Sequence, residues 1–521
     1  MPSDPPTPRR DSTERSVRWH GAPTGLLPKA ALWGRSSVVD DAGRVRRLGF
    51  LGLGVEWLRH FTFRAVDLVL RVVLELVRVL PRGALRHDRP RPGRIAIVLP
   101  ILPDLSHTFV YREVVALRAL DPSIVVVNLE EGHGAVVHPE AAGLLAYTKL
   151  VRLRGIVSRA WLILRTAVAS PRRTRALLDW YRGEDLGRAL LGKLPLAEGR
   201  HPGRAFELAA TLRGANVEQI HVYGSTWAAN VAIGAGILLD RPVSISSYVD
   251  FEFPYLWKCL PQKLASARFF RVQTADCRRR LLALLPTLDD SSAAMPVLPY
   301  GVDAAAFRAR PAAPPPRLDP AALHLVSACR VVPKKGMDRV PPLLLALRAR
   351  GIRAHWQLAG DGPELARVRA LALELGVSEQ IEFLGPLPND RLLDVIAASD
   401  VAILPSIEQT DGERDGLPVF LIEAMALGRL AHSTPVSAIP DLIVDGVTGL
   451  LSSAEPEALA DRLQAALADP SRARAIAAAG RDAALATQDS ARSAKALLTR
   501  LRAIHAVPTA PREGAGAPRP S

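Results

Sequence analysis

Residues 401–428 read VAILPSIEQTDGERDGLPVFLIEAMALG. The first four residues are apolar and end at Leu404, which predicts a short buried strand. A polar loop follows, and an apolar helix opens at Leu417 and Pro418, where proline suits the first turn because its missing N–H would be unpaired there anyway. The stretch therefore predicts a strand, a loop and a helix in succession, the unit from which parallel α/β sheets are built.

The loop before this helix has the composition of an anion and sugar site. The N–H groups of Gly416, Leu417 and Val419 would be free to donate to a diphosphate or a sugar, and the positive end of the helix dipole would add to the attraction. Asp415 precedes the helix and Glu423 lies about a turn and a half inside it, so both carboxylates can accept from vicinal hydroxyls of one ligand. Taken alone, Asp415 would equally suit an ordinary helix N-cap.

Similar strand and helix patterns extend in both directions and predict two domains. After the Pro-rich linker at 308–320, the second domain spans 321–485 and is followed by a C-terminal helix at 486–507. The first domain spans 94–307 and opens with a strand, a loop and a helix of its own. The predicted strands are RIAIVLP, SIVVVNLE, QIHVYGS, PVSISSY and RVQTA in the first domain, and LHLVSAC, AHWQLAG, IEFLG, VAILPS and LAHST in the second.

The remaining segments are predicted to lie outside the two sheets. Residues 1–60 are basic and Pro-rich and predict a disordered tail, as does the Pro/Gly-rich end at 508–521. Within 61–93, an amphipathic helix at 61–80 carries its charges on one stripe, which suits either a membrane interface or packing against the first domain. The insert at 150–205 is basic and helical and predicts a second membrane-facing surface.

Composition limits the classes of binding partner that can be expected. The 521 residues carry a formal net charge of +15 and are 48% hydrophobic, which predicts a folded protein attracted to anions. No nucleic-acid motif is present, so the expected partners are phosphorylated substrates and an anionic membrane surface. The three cysteines, Cys259, Cys277 and Cys329, lack metal-ligand spacing and favour a cytoplasmic location, peripheral at the inner face of the cell membrane.

Asp415 and Glu423 are separated by seven residues and are followed by AMALG. This pattern resembles the Glu-x7-Glu signature of family 4 glycosyltransferases, and residues 411–428 are most similar to their bacterial exopolysaccharide and colanic-acid branch. The similarity continues through SACRVVPKKG, QLAGDGPELARV, IEFLGPLPND and IPDLIVDGVTGLL and covers most of residues 94–505. It implies the GT-B fold, in which two doubly wound Rossmann-like domains face a cleft, and a retaining, metal-independent transfer from a nucleotide sugar.

The resemblance also assigns residues of the second domain. Arg330 and Lys335 match the pair that binds the donor diphosphate, Asp415 matches the residue that contacts the donor sugar, and Glu423 matches the one that contacts the ribose. Lys334 is an alternative to Lys335. The other donor-binding positions are those of the helix start and of a Gly-Asp-Gly loop: Gly416, Leu417, Pro418, Gly360 and Gly362.

In the first domain, LSHTFVYRE resembles the family's Ser-x-Thr-Phe segment, which places Ser106, Thr108 and Glu113 at the cleft, on the acceptor side. The sequence also departs from the family. Asp415 stands where a glutamate is usual, and Ser247, followed by Asp250, stands near the place of a usual histidine.

The function that these residues imply is transfer of a sugar from a nucleotide diphosphate donor to a cell-envelope, lipid-linked or polysaccharide acceptor. The departures at Asp415 and Ser247 also allow a non-catalytic nucleotide-sugar-binding partner of another glycosyltransferase. A sugar-nucleotide epimerase on the same fold is a further alternative. We expect neither a metal ion nor another cofactor.

Overall fold

The computed structural model describes residues 37–39, 45–47, 94–102, 108–132, 143–151, 154–181, 202–247, 260–285, 294–311, 313–410 and 412–504. The chain forms two compact units, Met1–Val69 and Leu70–Ser521. In the first unit, strands β1 (Ser37–Val39) and β2 (Val45–Arg47) pair antiparallel, within the stretch where composition predicted no structure. The predicted helix at 61–80 lies outside the described residues.

The first domain of the larger unit is built on a six-stranded parallel sheet in the order β5-β4-β3-β6-β7-β8. Its strands are β3 (Ile95–Leu102), β4 (Val125–Glu131), β5 (Thr148–Leu150), β6 (Gln219–Tyr223), β7 (Val243–Ser246) and β8 (Ala267–Arg271). Its helices are α1 (Thr108–Leu120), α2 (Ile156–Ala169), α3 (Pro171–Trp180), α4 (Pro202–Arg213), α5 (Trp227–Leu239), α6 (Leu260–Ser266), α7 (Ala275–Leu284) and α8 (Ala304–Ala309). The central strands are buried on both faces because helices cover the sheet, which explains their nearly continuous apolar sequence.

The second domain has the same architecture, with strand order β11-β10-β9-β12-β13-β14. Its strands are β9 (Leu323–Ala328), β10 (Ala354–Ala359), β11 (Ile381–Gly385), β12 (Val401–Leu404), β13 (Leu430–Ser433) and β14 (Leu450–Leu451). Its helices are α9 (Val340–Ala349), α10 (Leu365–Glu374), α11 (Asn389–Ala398), α12 (Val419–Ala426), α13 (Ile439–Leu442), α14 (Pro456–Ala468) and α15 (Pro470–Thr487), and the chain then forms α16 (Ser490–Ala503). Two Rossmann-like parallel sheets were predicted, and both are confirmed.

One predicted strand is misplaced. The sequence predicted a strand over 271–275, whereas β8 covers Ala267–Arg271. The chain leaves the sheet after Arg271 because Thr274 caps the next helix, its side chain accepting a hydrogen bond from the Cys277 N–H at 3.1 Å. The short strands β5 and β14 were not predicted.

The chain passes between the two domains twice. Beside α8, the Val302 N–H donates to the Gln488 carbonyl and the Ser490 N–H donates to the Val302 carbonyl, both at 2.9 Å. Helix α16 then packs against α1, and Leu497 and Leu501 join the same apolar cluster as Tyr111. The last described helix therefore completes the core of the first domain. None of the described helices is both long and apolar enough to cross a membrane.

Candidate active site

The second domain gathers its charged site residues on loops that follow β9 and β12, which are neighbours in the sheet. Lys335 ends a short 3-10 turn after β9, and its Nζ lies 2.5 Å from Oδ2 of Asp415, in the loop after β12. Ser406 also donates to Asp415 Oδ2, at 3.2 Å. The structure thus brings together Lys335 and Asp415, two of the three predicted catalytic side chains.

Gly336 makes this approach possible. Its φ of +66° is in the left-handed region, and a Cβ at this position would collide with the Pro405 carbonyl. A larger residue would therefore push the Lys335 turn away from the loop that carries Asp415. Gly336 was not among the residues predicted from the sequence, although the string PKKG that ends the turn was the available signal.

Arg330, the third predicted catalytic residue, follows β9 and is exposed. Within the described part of the chain, its guanidinium makes no recorded hydrogen bond or ion pair. Lys334, by contrast, lies 2.9 Å from Glu413 Oε1. Arg330 is thus positioned to receive an anion, whereas Lys334 is held by a carboxylate of the loop.

Two glycines hold the loop after β10 against the segment that carries Arg330. Gly360 has a φ of +124°, and a Cβ there would collide with the Cys329 carbonyl. A Cβ at Gly362 would collide with the Val331 carbonyl. Both glycines therefore shape the site through close backbone contact, and neither presents a side chain to a ligand. Burial raises the pKa of the Cys329 thiol to about 12, so this neighbour stays uncharged at neutral pH.

The start of α12 provides backbone donors beside Asp415. The helix begins at Val419 with Pro418 as its N-cap, one residue later than the sequence predicted. No acceptor among the described residues is recorded for the N–H groups of Gly416 and Leu417. These two groups and the helix dipole can therefore act on an anion placed next to Lys335.

Glu423, inside α12, is almost completely buried and contacts the first domain. Its Oε1 lies 3.1 Å from Arg112 Nη1, on α1, and 3.4 Å from Asn389 Nδ2. The predicted ribose contact is therefore paired with a cation in this structure. Neither Arg112 nor Asn389 was predicted from the sequence as a site residue.

A second contact joins the two domains near this point. The Asp276 N–H, in the first turn of α7, donates to Asp441 Oδ2 at 2.9 Å, and Arg279 lies 3.8 Å from the same carboxylate. Between the domains, Thr274 and Cys277 face Gly416 and Leu417 across a cavity of about 10 Å³. A space of this size holds about one water molecule, so no sugar fits between these four residues in this structure.

Glu113 was predicted to lie at the cleft on the acceptor side, and the structure places it inside the first domain. It is 1% exposed, accepts from Tyr223 at 2.5 Å, and forms a two-point ion pair with Arg271 at 2.5 and 2.8 Å. Burial lowers the pKa of Arg271 and the Glu113 charge raises it, with a net rise. Burial and Glu113 both raise the pKa of Tyr223. This position makes Glu113 a structural residue because its oxygens are occupied by Arg271 and Tyr223.

Ser247, expected near the place of the family's histidine, is fully buried. Its hydroxyl donates to the Arg271 carbonyl at 3.1 Å, and its own carbonyl accepts from Tyr300 at 3.2 Å and Gln273 at 3.3 Å. Ser247 is therefore part of the packing behind the cleft. Ser106 and Asp250 lie outside the described residues, and Thr108 begins α1 with a side chain that is also outside them.

The arrangement can bind an anion flanked by hydroxyl groups. Cationic side chains and backbone N–H groups lie at the carboxyl ends of β9 and β12, where doubly wound sheets bind ligands. Across the described residues, no group of three or more His, Cys, Asp and Glu side chains could hold a metal ion.

Residues 317–483 match the family model described as "Glycosyl transferases group 1". The chain is 27% identical over 389 residues to a Salmonella typhimurium glycosyltransferase, WcaL, whose name places it in colanic acid biosynthesis; the match covers 73% of this chain and 91% of that protein. It is 32% identical over 200 residues to the GDP-mannose-dependent alpha-(1-6)-phosphatidylinositol monomannoside mannosyltransferase of Mycolicibacterium smegmatis, covering 37% of this chain and 52% of that relative.

Solved structures show the same fold. A glycosyltransferase from Rickettsia africae superposes with a TM-score of 0.58 at 13% identity, covering 80% of this chain and 99% of that one. Anabaena HepE, solved with UDP and glucose, gives a TM-score of 0.57 at 15% identity, covering 78% and 98%. The fold is therefore GT-B. Together with the sequence matches, it identifies the chain as a glycosyltransferase.

Proposed function

We propose that this glycosyltransferase moves a sugar from a nucleoside diphosphate donor to a polysaccharide or lipid-linked acceptor, with retention of anomeric configuration and without a metal ion. The observation that carries the proposal is the pairing of Lys335 with Asp415, next to the N–H groups of Gly416 and Leu417, which have no recorded acceptor among the described residues. A donor placed there would have its diphosphate on cations and its sugar on a carboxylate.

The leaving diphosphate is the charge that catalysis must stabilise. As the bond from the anomeric carbon to the diphosphate oxygen breaks, negative charge grows on that oxygen. Lys335, Arg330 and the α12 N-terminus offset this charge, which is the role that a metal ion serves in other transferases. The acceptor hydroxyl attacks from the same face, and its proton passes to the departing phosphate oxygen, so no covalent nucleophile is required.

Donor binding exchanges the partners of two carboxylates. In this structure Asp415 is paired with Lys335, and Glu423 with Arg112, although each carboxylate is less than a tenth exposed. A bound donor would draw Lys335 towards its diphosphate, leaving Asp415 to accept from a sugar hydroxyl, while its ribose would compete with Arg112 for Glu423. The pairs keep buried charges compensated until the donor supplies replacements.

The names of the similar proteins suggest the class of acceptor. Their names refer to colanic acid, amylovoran and phosphatidylinositol mannoside, which are polysaccharide or lipid-linked products. We therefore propose an acceptor of that kind for this chain. The non-catalytic and epimerase alternatives are not favoured, since the matched relatives are glycosyltransferases.

The test is a turnover screen of the purified chain against UDP-, GDP- and TDP-sugars with a chelator present. We expect one donor to be bound and slowly hydrolysed without metal, and the released or transferred sugar to keep its anomeric configuration by proton NMR. Activity that returns only when Mg²⁺ or Mn²⁺ is added would refute the metal-independent part. An inverted product would refute retention.

We also propose that the protein works in the cytoplasm at an anionic membrane surface. Helix α2 leaves an apolar stripe exposed at Val157 (64%), Trp161 (64%) and Val168 (70%), with the exposed Arg165 between them. Tryptophan and arginine on one helix face suit the boundary between lipid headgroups and acyl chains. This surface lies in the insert for which the sequence predicted membrane contact.

Vesicle flotation tests this proposal. The full chain should float with phosphatidylglycerol vesicles and not with phosphatidylcholine vesicles, and Trp161→Ser with Arg165→Gln should reduce the floated fraction several-fold. An exposed pair on the second domain, Arg367→Gln with Leu373→Ser, is the control. Equal flotation of both double variants would show that α2 is not the membrane contact.

A further inference from the structure

A pocket lined by three arginines lies in the first domain, at the edge of the sheet that faces away from the cleft. Its volume is about 110 Å³, and Arg173, Arg213 and Arg241 line it together with Leu212, Asn216 and Leu239. Neither the transfer reaction nor the proposed membrane stripe uses these residues. Among the described residues, no carboxylate lines the pocket.

The topology explains why the arginines meet. Arg173 lies in the first turn of α3, Arg213 is the last residue of α4, and Arg241 lies between α5 and β7. The strands are parallel, so the segments that enter β6 and β7 lie at the same edge of the sheet. The length of β6 puts this edge about 15 Å from the edge that faces the second domain.

The hydrogen bonds of the three arginines show which of them the fold uses. Arg241 donates from Nε to the Val217 carbonyl at 2.9 Å and from Nη1 to the Asp240 carbonyl at 3.0 Å, so it serves to hold two loops. Arg213 is exposed and has no recorded side-chain bond to any described residue. Its guanidinium is therefore not explained by the packing of the domain.

Arg173 is also incompletely paired. Its Nη2 lies 3.4 Å from Asp240 Oδ2, a long contact, and its Nε is buried without a hydrogen-bond partner among the described residues. A buried donor without an acceptor destabilises the folded chain because it has lost its hydrogen bonds to water. An anion in the pocket would remove that cost.

The pocket retains positive charge after its neighbours are considered. Asp240 supplies one negative charge, and the carboxyl ends of α4 and α5 each contribute about half of one. Three guanidinium groups exceed this total. Guanidinium groups favour phosphate because their N–H groups match two of its oxygens at once.

We infer that this pocket binds a single phosphate group, carried either by a soluble phosphate or by a lipid headgroup. The volume accommodates a tetrahedral oxyanion with a few waters, but it is well below the roughly 300 Å³ at which pockets for whole small molecules begin. The pocket is therefore too small to enclose a complete nucleotide sugar. The site does not depend on the donor or on the reaction.

The experiment is a calorimetric titration with inorganic phosphate at constant ionic strength. The full chain carrying Arg330→Gln is the background, because phosphate can also bind at the cleft, where Arg330 is exposed and has no recorded partner among the described residues. Adding Arg213→Gln should weaken the measured Kd roughly tenfold or more. Arg268→Gln, an exposed arginine on β8 of the same domain, is the matched control and should leave the Kd unchanged.

A second titration separates the two sources of phosphate. Dihexanoyl phosphatidic acid, kept below its micelle concentration, replaces inorganic phosphate; tighter binding of this lipid identifies a headgroup site, and equal or weaker binding identifies a soluble phosphate. Arg173→Gln, with its thermal midpoint checked, repeats the comparison at another residue. Binding of neither ligand, or binding that survives both Arg213→Gln and Arg173→Gln, would overturn the inference.

Discussion

The two domains share one architecture but use the charged residues near their facing edges differently. In the second domain, Arg330, Lys335 and Asp415 lie on loops beyond the carboxyl ends of the strands, where doubly wound sheets bind ligands. In the first domain, Glu113 and Arg271 pair with each other inside the core. The second domain therefore displays its charges to a ligand, whereas the first uses them to hold its own helices and strands together. Each prediction below tests this difference.

The largest effect should come from the buried pair of the first domain. Among the described residues, Arg271 is the only cation recorded in an ion pair with Glu113, and Arg271→Met removes it. The substitution also removes the hydrogen bond from Arg271 to Ser493 on α16. A buried charge left without its partner typically costs about 3 to 5 kcal/mol. Urea unfolding should show a loss of this size in the free energy of unfolding.

Arg268→Met is the control, because Arg268 lies on the same strand and is exposed. Its free energy of unfolding should stay within about 0.5 kcal/mol of the unchanged chain. If both variants were equally stable, the buried Glu113 charge would not depend on Arg271. The assignment of Glu113 as a structural residue of the first domain would then be wrong.

In the second domain, Lys335→Ala should damage the reaction far more than the fold. Losing one preorganised donor to a developing negative charge typically reduces kcat about 100- to 1000-fold. Steady-state kinetics with the identified donor would measure the loss. Lys334→Ala removes the neighbouring ammonium, which is paired with Glu413, and should change kcat/KM only a few-fold. Equal losses in both variants would contradict the assignment of Lys335.

Where the domains meet, Arg112→Ala should tighten donor binding. The substitution frees Glu423, so the ribose no longer competes with a guanidinium held at 3.1 Å. The two side chains are only 10% and 5% exposed, so Arg112→Ala leaves a buried carboxylate that ribose hydroxyls can then satisfy. A hydrogen bond of this kind contributes about 1 kcal/mol, so we expect the Kd of the donor to fall about three- to fivefold by calorimetry.

Arg279→Ala distinguishes release of Glu423 from simple loosening of the domains. Arg279 is another cation on the interdomain contact, 3.8 Å from Asp441, and it does not touch Glu423. An equal gain in affinity with Arg279→Ala would mean that easier domain opening, and not the freed carboxylate, explains the result.

The last effect concerns one buried histidine in each domain. Burial lowers the pKa of both His221 and His432 to about 3, so each stays neutral in the folded chain while the unfolded chain takes up a proton below pH 6.5. Stability from each histidine is therefore complete above pH 6.5 and is lost as the pH falls towards 3. Between pH 7.5 and 5.5 the loss should total about 1.4 kcal/mol for each histidine, measured by urea unfolding at the two pH values.

Leucine substitutions sharpen this comparison. His221 contacts the hydroxyls of Ser244 and Ser246 at 2.8 and 2.9 Å, whereas His432 Nε2 contacts Ser452 and its Nδ1 lacks a partner among the described residues. We therefore expect His221→Leu to be the more destabilising change at pH 7.5. In each variant, the free energy of unfolding should also fall less between pH 7.5 and 5.5, because one histidine no longer contributes to the loss. An unchanged pH dependence would show that the histidine is not buried as described.

The strands and site loops of the second domain could be predicted from the sequence because each is specified by a short, continuous stretch of residues. Strand β11 coincides with its prediction, and β9, β10, β12 and β13 end within one or two residues of theirs. Lys335 and Asp415 could be anticipated as partners because parallel strands place their following loops at one edge. The part played by Gly336 could not, since it depends on how closely two loops approach.

The first domain shows what could not be predicted from the sequence, namely which side chains of a helix face the cleft. Arg112 and Glu113 are adjacent, and successive residues of a helix point about 100° apart, so the two can face opposite environments. The resemblance directed attention to Glu113, yet Arg112 is the residue that reaches the second domain. Only the position of Arg271, 158 residues away, decides that Glu113 turns inwards. Such long-range pairing has no signal in a single sequence.

The return of α16 to the first domain has a consequence for the order of folding on the ribosome. The first domain is encoded first, but its core includes Leu497 and Leu501, and its Arg271 donates to Ser493. These residues emerge only after the whole second domain has been synthesised. The second domain can therefore complete its core while the first waits for the last helix, which reverses the usual sequence in which the N-terminal domain folds first.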